Sequence, residues 1–134
     1  MDLAEALLGL CCAVEGVRGA ASRELELTPQ QAQLLTAVTP DELTHGELAG
    51  RLHCDKTNIT GLVDRLERRG LVRRRPDSDD RRVTRVGLTD QGTELVGRFR
   101  KALGAAVAAR FESWPADRRD QLADLARAAT DSFR

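Results

Sequence analysis

The stretch that decides the fold is residues 55–89, DKTNITGLVDRLERRGLVRRRPDSDDRRVTRVGLT. Its first part has apolar residues at positions i, i+3, i+4 and i+7, which indicates an amphipathic helix of about four turns. Asp55 is placed to cap this helix, and Gly70 is placed to end it as a C′ glycine. The apolar positions are Ile59, Leu62, Val63 and Leu66.

The second part of the stretch predicts a β-hairpin that follows the helix directly. Turn-forming residues at 76–80 separate two runs, and the second run alternates through Thr84, Val86 and Leu88. A hairpin attached to the end of a helix in this way is typical of a wing.

A shorter helix is predicted before this stretch. Thr44 and Glu47 fit the capping box S/T-x-x-E, and Leu48 and Leu52 form the buried side of about two turns. Two helices joined by a tight turn are the outline of a helix-turn-helix. Thr28 and Pro29 open one more short helix upstream, so residues 28–88 are predicted to form a winged helix-turn-helix lobe.

Helices are predicted on both sides of the lobe. Thr89 caps a long helix to about residue 111, and a last amphipathic helix follows Pro115. The first helix carries a heptad-like apolar seam, which suits either a partner helix or packing on its own lobe. The seam residues are Leu3, Leu7, Leu10, Val14, Val17 and Ala21. We therefore predict one domain over 1–134, mainly α with a small β-hairpin wing, in which about 1–25 and 89–134 are dimerisation helices.

The positive charge of the chain is concentrated in this same stretch. The formal net charge is zero, yet residues 56–85 contain ten basic and five acidic residues. A local basic field on a neutral protein suggests an anionic partner. A solvated surface in a chain that uses Arg far more than Lys is the alternative.

The outward side of the predicted second helix suits a DNA major groove. Asn, Thr and Arg side chains can meet base edges there, and Lys can meet phosphate. We interpret this helix as a recognition helix, with an ordinary solvated helix face as the alternative. The candidate residues are Lys56, Thr57, Asn58, Thr60, Gly61 and Arg65.

The wing tip suits a minor groove. Arg81 and Arg82 stand at a narrow tip, and minor grooves have a strongly negative potential. Asp79 and Asp80 are placed to orient these guanidinium groups. The stem arginines either touch the DNA backbone or keep an edge strand from aggregating. They are Arg73, Arg74 and Arg75.

Cysteine usage suggests reduced thiols. The three cysteines, Cys11, Cys12 and Cys54, are an odd number without framework spacing. Cys54 precedes the basic start of the recognition helix, where a thiolate would be favoured and oxidation would displace the helix. Small hydrophobic side chains without a redox role are the alternative. His45, His53 and Cys54 are too sparse for a zinc site, so no metal and no cofactor are expected.

Two further classes of protein, membrane or secreted proteins and enzymes, are disfavoured. The longest apolar run, Leu7–Val14, is far shorter than the roughly 20 residues of a membrane span. Asp2 and Glu5 stand where a signal peptide carries positive charge, so we expect a soluble, cytoplasmic protein. An enzyme is not expected, because the chain has neither a G-x-S-x-G motif nor a phosphate-cradling glycine loop.

With these motifs in place, the chain resembles the MarR family of bacterial winged-helix transcriptional regulators over nearly its whole length. The most specific match is Asp80-Arg81-Arg82 followed by Leu88-Thr89. The resemblance implies a homodimeric repressor on a palindromic operator, with Arg82 as the minor-groove arginine and Asp80 as its orienting partner.

The resemblance also implies a small effector, often an aromatic acid, that releases the DNA; candidate lining residues are Val14, Arg18 and His45. The chain departs from the family at Gly61, where many members carry Arg. This departure keeps open an alternative function, a winged-helix protein-interaction module that no longer binds DNA.

Overall fold

The computed structural model describes residues 2–134 and is mainly helical with a small antiparallel sheet, which confirms the predicted fold class. The chain divides into two compact units, one ending at Leu103 and the other comprising Gly104–Arg134. In chain order the elements are α1 (Leu3–Glu24), α2 (Pro29–Ala37), β1 (Leu43–Thr44), α3 (His45–Leu52), α4 (Lys56–Arg68), β2 (Val72–Pro76), β3 (Thr84–Leu88), α5 (Asp90–Arg110) and α6 (Ala116–Asp131).

The helix ends of the lobe (α2 to β3) follow the local signals in the sequence. The Asp55 carboxylate accepts a hydrogen bond from the backbone N–H of Asn58 at 2.8 Å, and Gly70 has φ +76° just beyond α4. Thr44 and Glu47 form the reciprocal capping box of α3, with both bonds at 3.1 Å. The predicted start and end of α4 are confirmed.

The sheet contains a strand that the sequence did not predict. β1 pairs with β3, so the strand order is β1-β3-β2 and all pairs are antiparallel. The prediction of a two-stranded wing was therefore incomplete. β1 is only two residues long, so it has no alternation that a sequence pattern can reveal. Its pairing joins the wing to the start of α3.

The core of the lobe is formed by the apolar sides of α2, α3 and α4, the sheet, and the N-terminal half of α5. The predicted apolar stripe of α4 is buried along its whole length. The largest fully buried side chains are aliphatic, which accords with the low aromatic content. They include Leu34, Leu35, Leu48, Ile59, Leu66, Val63 and Val86.

Thr89 connects the end of the wing to Gly70, just beyond α4, and to the first turn of α5. Its hydroxyl donates to the Gly70 carbonyl at 2.6 Å and accepts from the Gly92 N–H at 3.0 Å. Gly92 is required at this approach, because an added Cβ would lie 2.0 Å from the Leu71 carbonyl oxygen. The wing therefore ends at a fixed place against the C-terminal turn of α4.

The flanking helices leave apolar residues uncovered. Every residue of α1 from Leu3 to Gly16 is exposed, whereas Val17 and Ala21 are buried. Only the C-terminal end of the predicted seam packs on its own lobe. In the second unit, α6 has no buried residue, and Leu125 is 68% exposed. Within residues 2–134, no helix has the length and apolarity that crossing a membrane requires.

Replacing Thr89 with Val is expected to lower the free energy of unfolding by about 1–3 kcal/mol, because it leaves a helix N–H and a carbonyl unpaired. Thr89→Ser keeps the hydroxyl and is expected to stay close to the wild type. Thr93→Val, which removes a hydroxyl that donates to the Thr89 backbone carbonyl four residues earlier, is the matched control. Urea unfolding measures all three, and wild-type stability of Thr89→Val would show that the hydroxyl does not hold this junction.

Candidate nucleic-acid interface

The outward side of α4 carries the polar residues that the sequence singled out. Lys56, Thr57, Asn58, Thr60 and Arg65 are exposed, and Gly61 is half-buried. The hydroxyl of Thr60 donates to the Lys56 carbonyl at 2.9 Å, so its donor is already used within the helix.

The two acidic residues of α4 pair with one arginine of the wing stem. Arg74 of β2 forms ion pairs with Asp64 and Glu67, the latter at 2.7 Å. Hydrogen bonding from Arg74 lowers the pKa of Asp64, and the Asp64 carboxylate in turn raises the pKa of Arg74. Arg74 thus connects the wing to α4 and removes net negative charge from the side of α4 that faces outward.

The wing tip holds Arg82 in one orientation. The Asp80 carboxylate accepts from Nε of Arg82 at 3.1 Å and from its Nη2 at 3.2 Å. It also accepts from the backbone N–H of Arg82 at 3.1 Å. These bonds lower the pKa of the Asp80 carboxyl, so it is ionised at neutral pH. Arg82 nevertheless remains 91% exposed.

A second aspartate shapes the tip, and sequence reasoning missed it. Asp77 accepts from the N–H groups of Asp79 and Asp80, and Arg85 pairs with its other oxygen. Hydrogen bonding from Arg85 lowers the pKa of Asp77. An Asp at the start of a turn cluster is a visible turn signal. Its partner eight residues away is not visible in the sequence.

The remaining wing arginines differ in their partners. Arg75 pairs with Glu42 at 2.5 Å, which gives this stem residue a role inside the lobe. Among residues 2–134, Arg73 and Arg81 form no ion pair. Asp79 does not pair with either tip arginine in the described residues, so the expectation that it orients them is wrong.

One groove brings the start of α4 together with the wing. It has a volume of about 360 Å³ and is bordered by Thr44, His45, Gly46, Lys56, Arg82, Val83 and Thr84. Partial burial lowers the pKa of His45, and the nearby Arg74 adds to the shift. His45 is therefore neutral at pH 7, and the positive charge of the groove comes from Lys56 and Arg82.

The cysteines do not come together. Cys11 and Cys12 are exposed on α1, and Cys54 is half-buried against the core of the lobe. All three thiols are free. Within the described part of the chain, no three His, Cys, Asp or Glu side chains are grouped as a metal site would require.

Comparison with known sequences identifies the lobe. A model of the MarR family matches residues 27–84, which is nearly all of the lobe. YkoM of Bacillus subtilis, described as an uncharacterised HTH-type transcriptional regulator, is 31% identical over 97 residues, or 72% of this chain and 62% of YkoM. The chain spans about half the length of the curated relatives it matches.

Comparison with solved structures extends the likeness to the flanking helices. The apo form of wild-type MarR from E. coli aligns over 96% of this chain and 97% of its own, with a TM-score of 0.84 and 22% identity. CouR from Rhodococcus jostii RHA1, solved with p-coumaroyl-CoA bound, covers 96% of this chain and 91% of its own, with a TM-score of 0.74 and 25% identity. Residues 27–84 thus match the MarR family, and nearly the whole chain has the same fold as these solved structures.

Proposed function

We propose that the protein is a transcriptional regulator that binds double-stranded DNA in a sequence-specific way, as a homodimeric repressor on a palindromic operator. The observation that carries this proposal is the shared groove between α4 and the wing, where Lys56 and Arg82 supply the positive charge. A regulator of this kind acts on chromosomal DNA and therefore works in the cytoplasm.

The geometry of the lobe accounts for binding through two grooves. α4 is 13 residues long and exposes Thr57, Asn58 and Arg65, which offer donors and acceptors to base edges in a major groove. Lys56 contacts a phosphate at the helix start. Arg82, oriented by Asp80, extends from the tip into the adjacent minor groove, where negative potential is high. Arg73 and Arg81 add phosphate contacts beside it.

Uncovered apolar surface supports a homodimer. In the first unit, α1 exposes Leu3, Leu7, Leu8, Leu10 and Val14. In the second unit, α6 buries nothing, and Phe133 just beyond it is 80% exposed. Seams of this kind are usually covered by another helix. A two-fold dimer presents two copies of α4 about 34 Å apart, which is why a palindromic operator is expected.

A cleft on the lobe suits an acidic effector. It has a volume of about 260 Å³ and is bordered by Arg18, Gln33, Thr36, Ala37, Arg51 and Leu52. The guanidinium groups of Arg18 and Arg51 supply positive charge that would attract a carboxylate, and Arg18 also pairs with Glu15. Of the three residues expected to line the effector site, only Arg18 borders this cleft; His45 borders the groove by the wing, and Val14 is exposed on α1.

Oxidation of a thiol is a second release signal in this proposal. Cys54 lies directly before Asp55, the cap of α4, and is packed against the core of the lobe. A larger, polar oxidised side chain at this place would shift the start of α4. Cys11 and Cys12 are accessible on the exposed part of α1, where oxidation would instead act on the dimer.

Replacing Arg82 with Ala is expected to weaken operator binding by about 1–3 kcal/mol while leaving the fold and the dimer intact. Fluorescence anisotropy on a fragment of the protein's own upstream DNA, with random DNA as competitor, measures the change. Arg23→Ala removes the same charge from the exposed end of α1 and is the control. If Arg82→Ala bound with unchanged affinity, the wing would not enter a groove. If the wild type did not prefer this fragment over random DNA, the protein-interaction module would be favoured.

Replacing both Leu7 and Val14 with Glu is expected to convert the dimer to monomers at micromolar concentration, because two charges would be buried against the partner helix. Sedimentation velocity measures the change. The control is Gly9→Glu combined with Gly16→Glu, which adds the same two charges on the opposite side of α1 and is expected to leave the dimer intact. An added side chain meets open space at both positions. A dimer that survives the first pair of substitutions would exclude this seam as the interface.

A further inference from the structure

We propose that Arg85 is a positioning residue that fixes the direction of the tip residue Arg82 relative to the recognition helix. The inference rests on the proposed function, because Arg82 matters only if the wing meets DNA. Arg85 was not among the residues that the sequence placed in the binding surface. Its contacts connect the wing tip to the body of the lobe through one guanidinium group.

Arg85 joins three separate segments. Its Nε donates to Oδ1 of Asp77 at the tip. Its Nη1 donates to the Glu42 carbonyl at 3.4 Å and lies 3.8 Å from Oε1 of Glu47 in α3. The side chain is 31% exposed, so most of it lies between the wing and the helix-turn-helix. Movement of the tip relative to α3 would break these contacts.

Asp77 transmits this anchoring to the backbone of the tip. Its Oδ2 accepts from the N–H of Asp79 at 3.1 Å and from the N–H of Asp80 at 3.0 Å. Its own N–H donates to the Val83 carbonyl at 2.8 Å. The Asp77 carboxylate is only 12% exposed. One oxygen of the Asp77 carboxylate accepts from Arg85, and the other accepts from the backbone of the turn. The position of Asp80 therefore depends on the position of Arg85.

Asp80 completes the connection by holding the Arg82 guanidinium through two hydrogen bonds. Arg82 itself touches no element of the helix-turn-helix through an ion pair in residues 2–134. Its direction therefore depends on the chain of contacts from Arg85 through Asp77 and Asp80. A long, exposed side chain that is held in its bound direction loses less conformational entropy when it binds.

Arg85 is poorly placed to touch DNA directly. Two of its N–H donors bond to Asp77 and to the Glu42 carbonyl, and at 31% exposure it is far less exposed than Arg82 at 91%. The expected effect of Arg85 on affinity is thus indirect. This distinguishes it from Lys56 and Arg82, whose charged groups border the open groove.

A double-mutant cycle on operator affinity tests this dependence. Arg85→Leu is expected to weaken binding about five- to tenfold in the wild-type background and less than about twofold in the Arg82→Ala background. Equal losses in both backgrounds would overturn the inference, because Arg85 would then act independently of Arg82. Wild-type affinity for Arg85→Leu would overturn it as well. Arg85→Lys keeps the charge but loses the fork of donors, and full affinity of that variant would show that charge alone suffices.

Amide hydrogen exchange provides a measurement that does not depend on DNA. Arg85→Leu is expected to speed exchange at Asp79 and Asp80, whose N–H groups are held by Asp77. Arg75→Leu removes a neighbouring ion pair of the stem and is expected to leave these two amides unchanged. If Arg85→Leu does not fold, Asp77→Asn weakens the same contact from the other side. If exchange at Asp79 and Asp80 were unchanged in the variant, the inference about Arg85 would be overturned. If the wild type bound no DNA specifically, the proposed function would be overturned instead.

Discussion

The architecture of the lobe depends on the burial of one side of α4. Ile59, Leu62, Val63 and Leu66 are all buried, and full burial of such side chains contributes about 1.5–3 kcal/mol each. Because these residues face the core, the polar residues between them must face outward. The same helix therefore supplies much of the stability of the lobe and presents its candidate recognition surface.

The wing is attached to this helix by charge pairs as well as by backbone. Exposed ion pairs contribute little stability individually, so the pairs at the wing are better understood as fixing directions. Arg74 connects the stem to α4, Arg85 connects the tip to α3, and Asp80 holds Arg82. Within residues 2–134, four of the ten basic residues of this stretch form ion pairs, namely Arg74, Arg75, Arg82 and Arg85. The larger part of its positive charge is thus available to an anionic partner.

The sequence predicted those features that arise from neighbours in the chain. Caps at Thr44, Asp55 and Thr89, the turn cluster, and the apolar stripe of α4 all depend on residues within a few positions of each other. It did not predict β1, which is too short to carry a pattern, or the pairing of Arg75 with Glu42, which lies 33 residues away. The list of candidate DNA-binding residues remains a prediction, because it depends on a partner molecule.

The most direct test of the account is the salt dependence of the affinity of the wild-type protein for its upstream DNA. Each phosphate neutralised by Lys or Arg contributes a slope of about −0.9 to the plot of log K against log salt concentration. With Lys56, Arg73 and Arg81 each contacting a phosphate in both copies of a dimer, the account predicts a slope of about −5.4 on one preferred fragment. A flat plot, or equal affinity for random DNA at every salt concentration, would contradict it.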